Sequence, residues 1–269
     1  METIAFLGGG NMAEALINGI ISSRLYQPEN ILVSDIKPDR LEYLASHYHV
    51  KTFGSNKKLS QAADIIILSV EPQQLNTVLE DIKGFFRPDT LFISIAAGKR
   101  IDKITSHLGD VMLIRVMPNT PALIGQGACG IFAPENAKPK LDMALSIFSS
   151  VGKTFVLDNE DLIDSVTAVS GSGPAYFFLL MENMIQTAVE LGFAQNTACE
   201  LVIQTAKGAA LLAEQSKSRG LSVSDLRKKI VSRGGTTEAA LNTFAHGGFH
   251  QLVASALKKA YARAKELSA

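Results

Sequence analysis

Cysteine is scarce in this chain: its 269 residues include only Cys129 and Cys199. They form no C-x-x-C pair and have no histidine cluster beside them. Neither a disulfide framework nor a zinc centre is expected, and each thiol reads as a small apolar filler. Histidine is almost as rare. His47, His49, His107, His246 and His250 are scattered. The pair at metal-ligand spacing, His246 and His250, is interrupted by Gly247 and Gly248, which favours surface or packing roles. Net charge is missing as well. The 26 basic and 26 acidic side chains balance, so no general field exists to hold nucleic acid or an anionic membrane. No apolar run reaches spanning length, and no basic leader or cleavage site precedes the first strand pattern. The expectation is a cytoplasmic protein with a small-molecule partner, bound to neither nucleic acid nor membrane, and with no metal.

What is present is an ordinary globular composition, 46% hydrophobic and 19% charged, long enough for two domains. Up to about residue 157, the short apolar runs "TIAFL", "NILVS", "DIIILSV", "TLFISIA" and "MLIRVM" read as strands buried on both faces. Between them "MAEALINGIISS", "PDRLEYLASHY", "PQQLNTVLEDIK" and "IDKITSHL" carry helical spacing. Alternation of this kind predicts an α/β fold with a doubly wound, mostly parallel sheet of Rossmann type. Past residue 160 only helical patterns remain. The division expected is a dinucleotide-binding domain over 1–158 and an all-α domain over 159–269. The helix through "YFFLLMENMIQTAVELG" is apolar around most of its circumference, so it is either shared with a second chain, giving a homodimer, or central to its own bundle.

"FLGGGNMAEAL" follows the first strand and opens a helix. Gly8, Gly10 and Ala13 fit the G-x-G-x-x-G/A dinucleotide fingerprint at the strand-to-helix position where it has meaning. "VSDIKPDR" closes the second strand with conflicting signals: Asp35 suits the free ribose of NAD, whereas Ser34, Lys37 and Arg40 suit the 2′-phosphate of NADP. "SVEPQQ", "SIAAGKR" and "IRVMPNTPALIGQG" follow later strands, on the rim where open sheets bind ligands. In the helical half, "AVSGSGPAYFF" breaks its helix at Gly171, Gly173 and Pro174. Either Ser170, Ser172 and Tyr176 serve a site, or the break lets two helices cross. "SRGGTTEAAL" breaks another. Gly234 and Gly235 form a turn, with Thr236 or Thr237 capping the next helix, or the same turn presents unpaired N–H groups to a carboxylate or phosphate.

Taken together and in order, "GGGNM", "SIAAG", "MPNTP", "SGSGPAY" and "GGTT" resemble the pyrroline-5-carboxylate reductase family across essentially the whole chain. The resemblance implies reduction of 1-pyrroline-5-carboxylate to L-proline, the last step of proline biosynthesis, with NADPH or NADH. It also implies dimers through the C-terminal helices that assemble into larger rings. The cofactor positions it implies are Leu7, Gly8, Gly9, Gly10, Asn11, Met12, Ser34, Asn56, Val70, Pro72, Ala96 and Ala97, beside which Asp35 and Lys37 stand as ribose-site candidates. The family's substrate loop falls on Ser232, Arg233, Gly234, Gly235, Thr236 and Thr237. Two residues depart from the family pattern: Glu71 replaces a lysine beside the cofactor, and Arg233 replaces a proline before the glycine pair.

A cyclic imine bearing one carboxylate needs a hydride at carbon and a proton at nitrogen, so positioning is the protein's main task. The expectation is that N–H groups around Gly235 to Thr237, with Ser232, hold the carboxylate, and that the Thr237 hydroxyl bonds the ring nitrogen and relays its proton. In a helix-swapped dimer this cradle comes from the partner chain. The alternatives are a β-hydroxyacid dehydrogenase, which would want a lysine after its substrate loop where "FFLLMENM" has none, and a dinucleotide-binding regulatory protein without catalysis.

Overall fold

The protein is described by a computed structural model over residues 2–268. The chain packs as two compact units. One runs through Pro174 and is completed by the chain from Lys259 onward; the other is Ala175–Lys258.

The first unit is built on one sheet. Among the described residues it contains eight strands, β1 (Ile4–Leu7), β2 (Ile31–Ser34), β3 (Lys51–Phe53), β4 (Ile65–Leu68), β5 (Leu91–Ser94), β6 (Met112–Met117), β7 (Gly127–Phe132) and β8 (Gly152–Val156). Their order is β3-β2-β1-β4-β5-β6-β7-β8. All neighbours are parallel except β6 and β7, so β7 and β8 run against the rest. The flanking helices are α1 (Asn11–Ser22), α2 (Pro38–Tyr48), α3 (Asn56–Ala62), α4 (Leu75–Ile82), α5 (Ile101–Leu108), α6 (Leu141–Ser149) and α7 (Leu162–Val166).

Every residue of β1, β2, β4 and β5 is buried, as expected of parallel strands covered on both faces. Alternate side chains feed two cores. Ile4, Phe6, Val33 and Ile67 pack with α1, α2 and α6, while Ala5, Leu32, Ile66 and Phe92 pack with α3, α4 and α5. The sheet therefore has the doubly wound order, with its reversal between β1 and β4.

Three strands went unmarked by the apolar runs, each for a local reason. β3 is a three-residue edge strand that begins with an exposed lysine. β7 reads GACGIF, with glycines where a strand usually carries branched side chains. β8 is another edge, mostly exposed, so it lacks the apolar signature.

In the second unit the chain is helical throughout. α8 (Gly173–Glu190) enters it from the first unit, α9 (Gln195–Lys217), α10 (Val223–Lys229) and α11 (Thr236–His246) follow, and α12 (Phe249–Ser268) leads back. α10 starts at a full capping box formed by Ser222 and Asp225. His246 ends α11 and His250 lies in α12, with a turn at Gly247 and Gly248 between them, so they are not one face of one helix.

The division expected at 158/159 follows the end of the strands, whereas packing places the change of unit after Pro174 and returns the end of α12 to the sheet. Polar bonds accompany the packing of this segment on the sheet. Arg115 of β6 bonds Glu160 at 2.9 Å, and Ser268 bonds Asp164 at 2.8 Å. The expected break within "AVSGSGPAY" is a π-turn over Thr167–Gly171, closed by the Ser172 N–H donating to the Thr167 carbonyl at 2.8 Å, before α8 restarts at Gly173.

Asp64, just before β4, ties the start of the sheet. The Thr3 N–H and hydroxyl both donate to it, at 2.7 and 2.9 Å, and Arg87 pairs with it at 2.5 Å. Burial pushes this carboxyl up, but the Thr3 bonds and Arg87 outweigh burial and hold it below its ordinary value. A depressed native pKa means a contribution that is complete above the unfolded value and lost as pH falls through the native one. Asp64→Ala is expected to lower stability by about 1–3 kcal/mol at pH 7. Urea melts at decreasing pH should show the gap to wild type closing below about pH 4; a gap constant with pH would contradict this.

Candidate functional site

The chain turns sharply after β1. Gly8 has φ +100, and a Cβ there would lie 2.8 Å from the Ser69 carbonyl oxygen, so only glycine fits. The Gly8 N–H donates to the Ser34 carbonyl at 2.9 Å, and the Ser69 hydroxyl donates to the Gly8 carbonyl at 2.8 Å. Gly10, where α1 starts, faces open space, and no side chain caps the helix. The first N–H groups of α1 therefore point into a cavity, which is the arrangement that receives a pyrophosphate.

That cavity encloses about 1240 Å³. Of the sequence-derived positions, Gly8, Gly10, Asn11, Ser34, Asp35, Lys37, Asn56 and Val70 line it. Leu7 is buried in β1, Met12 packs on the core, and Ala96 is buried just past β5; Pro72 and Ala97 continue the loops after β4 and β5. Gly9 serves the loop's own structure: its N–H donates to Asp35 Oδ2 at 2.8 Å. The cavity has further walls: Thr77, Val78 and Asp81 of α4, which no motif marked, and the "SVEPQQ" turn read above as part of the ligand rim. Ser69 and Gln74 belong to that turn, and so does Glu71, the acidic departure from the family pattern. The signal for Ser69 was its place at the end of β4, level with Gly8.

Several of the groups expected at the ribose site are already bonded within the chain. Asp35 accepts from the N–H groups of Gly9 and Lys37, at 2.8 and 2.9 Å, so its carboxylate braces the two turns. Arg40 is also engaged. Its Nε donates to the Gly9 carbonyl at 2.5 Å, and Nη2 pairs with Glu14 at 2.5 Å. Glu14 further accepts from Tyr43 and Tyr48, at 3.0 and 2.9 Å. Burial pushes the Glu14 carboxyl up, while Arg40, Tyr48 and Tyr43 together bring it below its ordinary value. Burial and the bond to Glu14 push the Tyr48 hydroxyl to about 12, so it remains a donor. Two groups remain for a 2′-phosphate. The Ser34 hydroxyl donates to Asn56 Oδ1 at 2.7 Å, which turns the Asn56 amide N–H groups outward. Lys37 has no ion-pair partner among the described residues.

The loop after β6 is stiffened from inside. Asn119, 8% exposed, donates from Nδ2 to the Ser170 carbonyl at 2.9 Å and accepts at Oδ1 from the Ala128 N–H at 2.9 Å. One amide thus joins the "MPNTP" loop, the π-turn and β7. Cys129 of β7 is fully buried, and burial pushes its thiol to about 11, which suits a filler.

In the helical unit, Gly234 has φ +71 and Gly235 is the N-cap of α11, whose first residues are Thr236 and Thr237. No side chain caps this end. The Gly235 N–H, one of the donors expected for the substrate, donates to the Ser232 carbonyl at 3.0 Å. Glu238 likewise occupies the Gly234 N–H at 2.6 Å. The donors left are the N–H groups of Thr236 and Thr237 and the nearby hydroxyls. Arg227, Lys228, Lys229 and Arg233 precede or border this loop, a local cationic run in a chain of zero net charge.

Known proteins match both halves. The family model described as "Pyrroline-5-carboxylate reductase dimerisation" matches residues 160–267, and that for "NADP oxidoreductase coenzyme F420-dependent" matches residues 3–98. The pyrroline-5-carboxylate reductase of Pseudomonas aeruginosa is 40% identical over 98% of this chain and 96% of its own. The chain belongs to the pyrroline-5-carboxylate reductase family. A family structure from Coxiella burnetii superposes with a TM-score of 0.91 at 38% identity, covering 100% of this chain and 99% of its own. A family structure from Plasmodium falciparum, with NADP bound, gives a TM-score of 0.88 at 30% identity and covers 100% of this chain and 98% of its own. Membership sets aside the β-hydroxyacid dehydrogenase alternative.

Asn119→Asp provides a test of the amide staple. An ionised carboxylate would face the Ser170 carbonyl without a donor, whereas a protonated one reproduces both bonds. Asn119→Asp is expected to be destabilised by about 1–3 kcal/mol at neutral pH. The deficit relative to Asn119→Ala should shrink on acidification, as followed by thermal melts of both variants. Identical pH profiles for the two would contradict the assignment.

Proposed function

We propose that the protein reduces 1-pyrroline-5-carboxylate to L-proline, the last step of proline biosynthesis, with NADPH as the preferred hydride source and NADH as the alternative. The reading is carried by full-length family similarity with both "GGGNM" and "GGTT" intact. A non-catalytic binding protein has no comparable support, since neither Glu71 nor Arg233 removes a group the chemistry needs.

The nucleotide fits the cavity described. The N–H groups at the start of α1 would hold its pyrophosphate, and Asn56 and Lys37 its 2′-phosphate. The bound nucleotide supplies a hydride to the imine carbon. The residues of the chain bind and orient the other reactant. The Thr236 and Thr237 N–H groups, with the Ser232 hydroxyl, take the substrate carboxylate at the N-terminus of α11, and the neighbouring cations raise the local concentration of an anionic substrate. The Thr237 hydroxyl donates to the ring nitrogen and relays a solvent proton to it. Holding both reactants in attack geometry supplies ~7–11 kcal/mol, so no nucleophile is required.

The helical half carries both substrate binding and dimerisation in this reading. α8 supports it: Phe177, Phe178 and Leu179 are each at least 60% exposed in the single chain, an apolar face suited to a second copy. The active species is a homodimer in which the partner supplies the 232–237 loop, with dimers assembling into a ring, in the cytoplasm. No described helix is long and apolar enough to cross a membrane.

The decisive assay follows oxidation of NADPH and NADH with 1-pyrroline-5-carboxylate as acceptor. Substrate-dependent oxidation is expected, faster with NADPH; none with either would overturn the reading. Thr237→Ala should lower kcat by about 10²-fold with little change in melting temperature. Lys37→Ala should weaken NADPH by about tenfold while leaving NADH unchanged. Equal losses with both nucleotides would remove Lys37 from the 2′-phosphate.

A further inference from the structure

Arg115 is the largest fully buried side chain, and the reaction as described makes no use of it. It lies on β6, 2% exposed, and faces two carboxylates of the segment after β8. Its Nη1 donates to Glu160 at 2.9 Å, while Nη2 is 3.7 Å from Asp164 and 3.4 Å from the Ser268 hydroxyl. Ser268, 4% exposed at the end of α12, donates to Asp164 at 2.8 Å. The buried guanidinium thus gathers α7, the strand and the chain's last helical turn.

The same groups enclose the loop after β5. Glu160 accepts from the Ile101 N–H at 2.9 Å and pairs with Arg100 at 3.3 Å, and Arg100 also bonds Asp161 at 2.7 Å. On its other side the loop meets α12. Gly98 has φ +66, and a Cβ there would lie 2.7 Å from Leu267 Cβ and 2.9 Å from the Leu267 carbonyl oxygen. Loop and last turn are in van der Waals contact, backbone to backbone.

This loop leaves the sheet beside the nucleotide cavity. Leu7 pairs with Leu68, and Leu68 with Ser94, so β1, β4 and β5 end at one level. Residues 96–98 therefore emerge from the same edge as Gly8 and the Ser69–Val70 wall. Ligands of open sheets lie just beyond that edge.

We propose that Leu267 and Ser268 form a positioning element of the nucleotide site, holding the Ala96–Gly98 loop at the sheet edge with Arg115 as buried anchor. The proposal rests on the NADPH-dependent reading above. The last turn of α12 touches no reacting atom; it fixes the height and angle of a loop that borders the nucleotide. Ser268 sets the register of the turn through Asp164, and the Leu267 backbone supplies the surface on which Gly98 rests.

Variants of Arg115 take away the guanidinium that faces Glu160 and the buried Asp164 and are poor probes, because they endanger folding. The test instead combines Ser268→Ala, Ser268→Thr, a chain ending at Glu266, Gly98→Ala, and Gly98→Ala in the shortened chain. NADPH affinity is read from the fluorescence of the bound nicotinamide, which no tryptophan obscures because the chain has none. Steady-state kinetics and thermal melts accompany it. Ser268→Ala and the shortened chain are expected to stay folded and to bind NADPH about five- to tenfold more weakly, with KM for the imine unchanged. Ser268→Thr keeps the hydroxyl and should restore affinity to within about twofold. Gly98→Ala should cost less in the shortened chain than in the full one, because the clash with Leu267 is gone and only the φ penalty remains. Unchanged NADPH affinity in the folded shortened chain, or strictly additive effects of the Gly98 and terminal changes, would overturn the positioning role. Failure of the wild-type protein to bind NADPH would instead overturn the reductase reading, and the positioning role with it.

Discussion

A parallel strand buried on both faces can satisfy its backbone only through its neighbours, and that constraint organises the sheet unit. β1, β2, β4 and β5 have no residue open to water, so their ladders must pair in full and their ends must align. Alignment forces the turns after β1, β4 and β5 to crowd together. The close contact of Gly8 with Ser69 and the exposed start of α1 follow from that crowding. The cavity beside these turns is thus a by-product of strand pairing.

This part of the molecule was the most legible in the sequence. Continuous apolar runs marked the buried strands, and the glycine spacing marked the turn that follows the first. Legibility ended where partners lie far apart along the chain. Asp35 reads locally as a ribose ligand, and nothing local shows that its carboxylate also accepts from the Gly9 N–H, 26 residues away. Arg40 reads as a phosphate ligand, and its bonds to Glu14 and the Gly9 carbonyl were equally invisible in the sequence. At "SRGGTT" the glycine turn was visible, but which N–H groups bond within it depends on carbonyl placement, as with the Gly235 N–H and the Ser232 carbonyl. Strand patterns failed at β3, β7 and β8 because edges and glycine-rich segments carry little apolar signal. The boundary between units falls after Pro174, beyond the point where the strand patterns end.

The helical unit follows different physics. Its long helices bury few residues within the chain, and α8 buries Gly173 alone. In sequence, a helix apolar on most sides left a bundle core and a shared interface equally open. The exposure of Phe177, Phe178 and Leu179 favours the shared interface, and the match of residues 160–267 to a dimerisation model agrees with it.

α12 begins among the helices and ends against the sheet, so the sheet unit is discontinuous in sequence. Arg115 and Ser268 meet across 153 residues. A chain emerging from the ribosome presents all eight strands long before it presents the turn that completes their packing. Until that turn is made, the sheet unit carries a buried guanidinium and a buried carboxylate without the Ser268 hydroxyl as hydrogen-bond partner. Completion of the sheet unit therefore waits on Leu267 and Ser268, and a nascent chain stalled short of them holds an assembled sheet with Asp164 and Arg115 short of a partner.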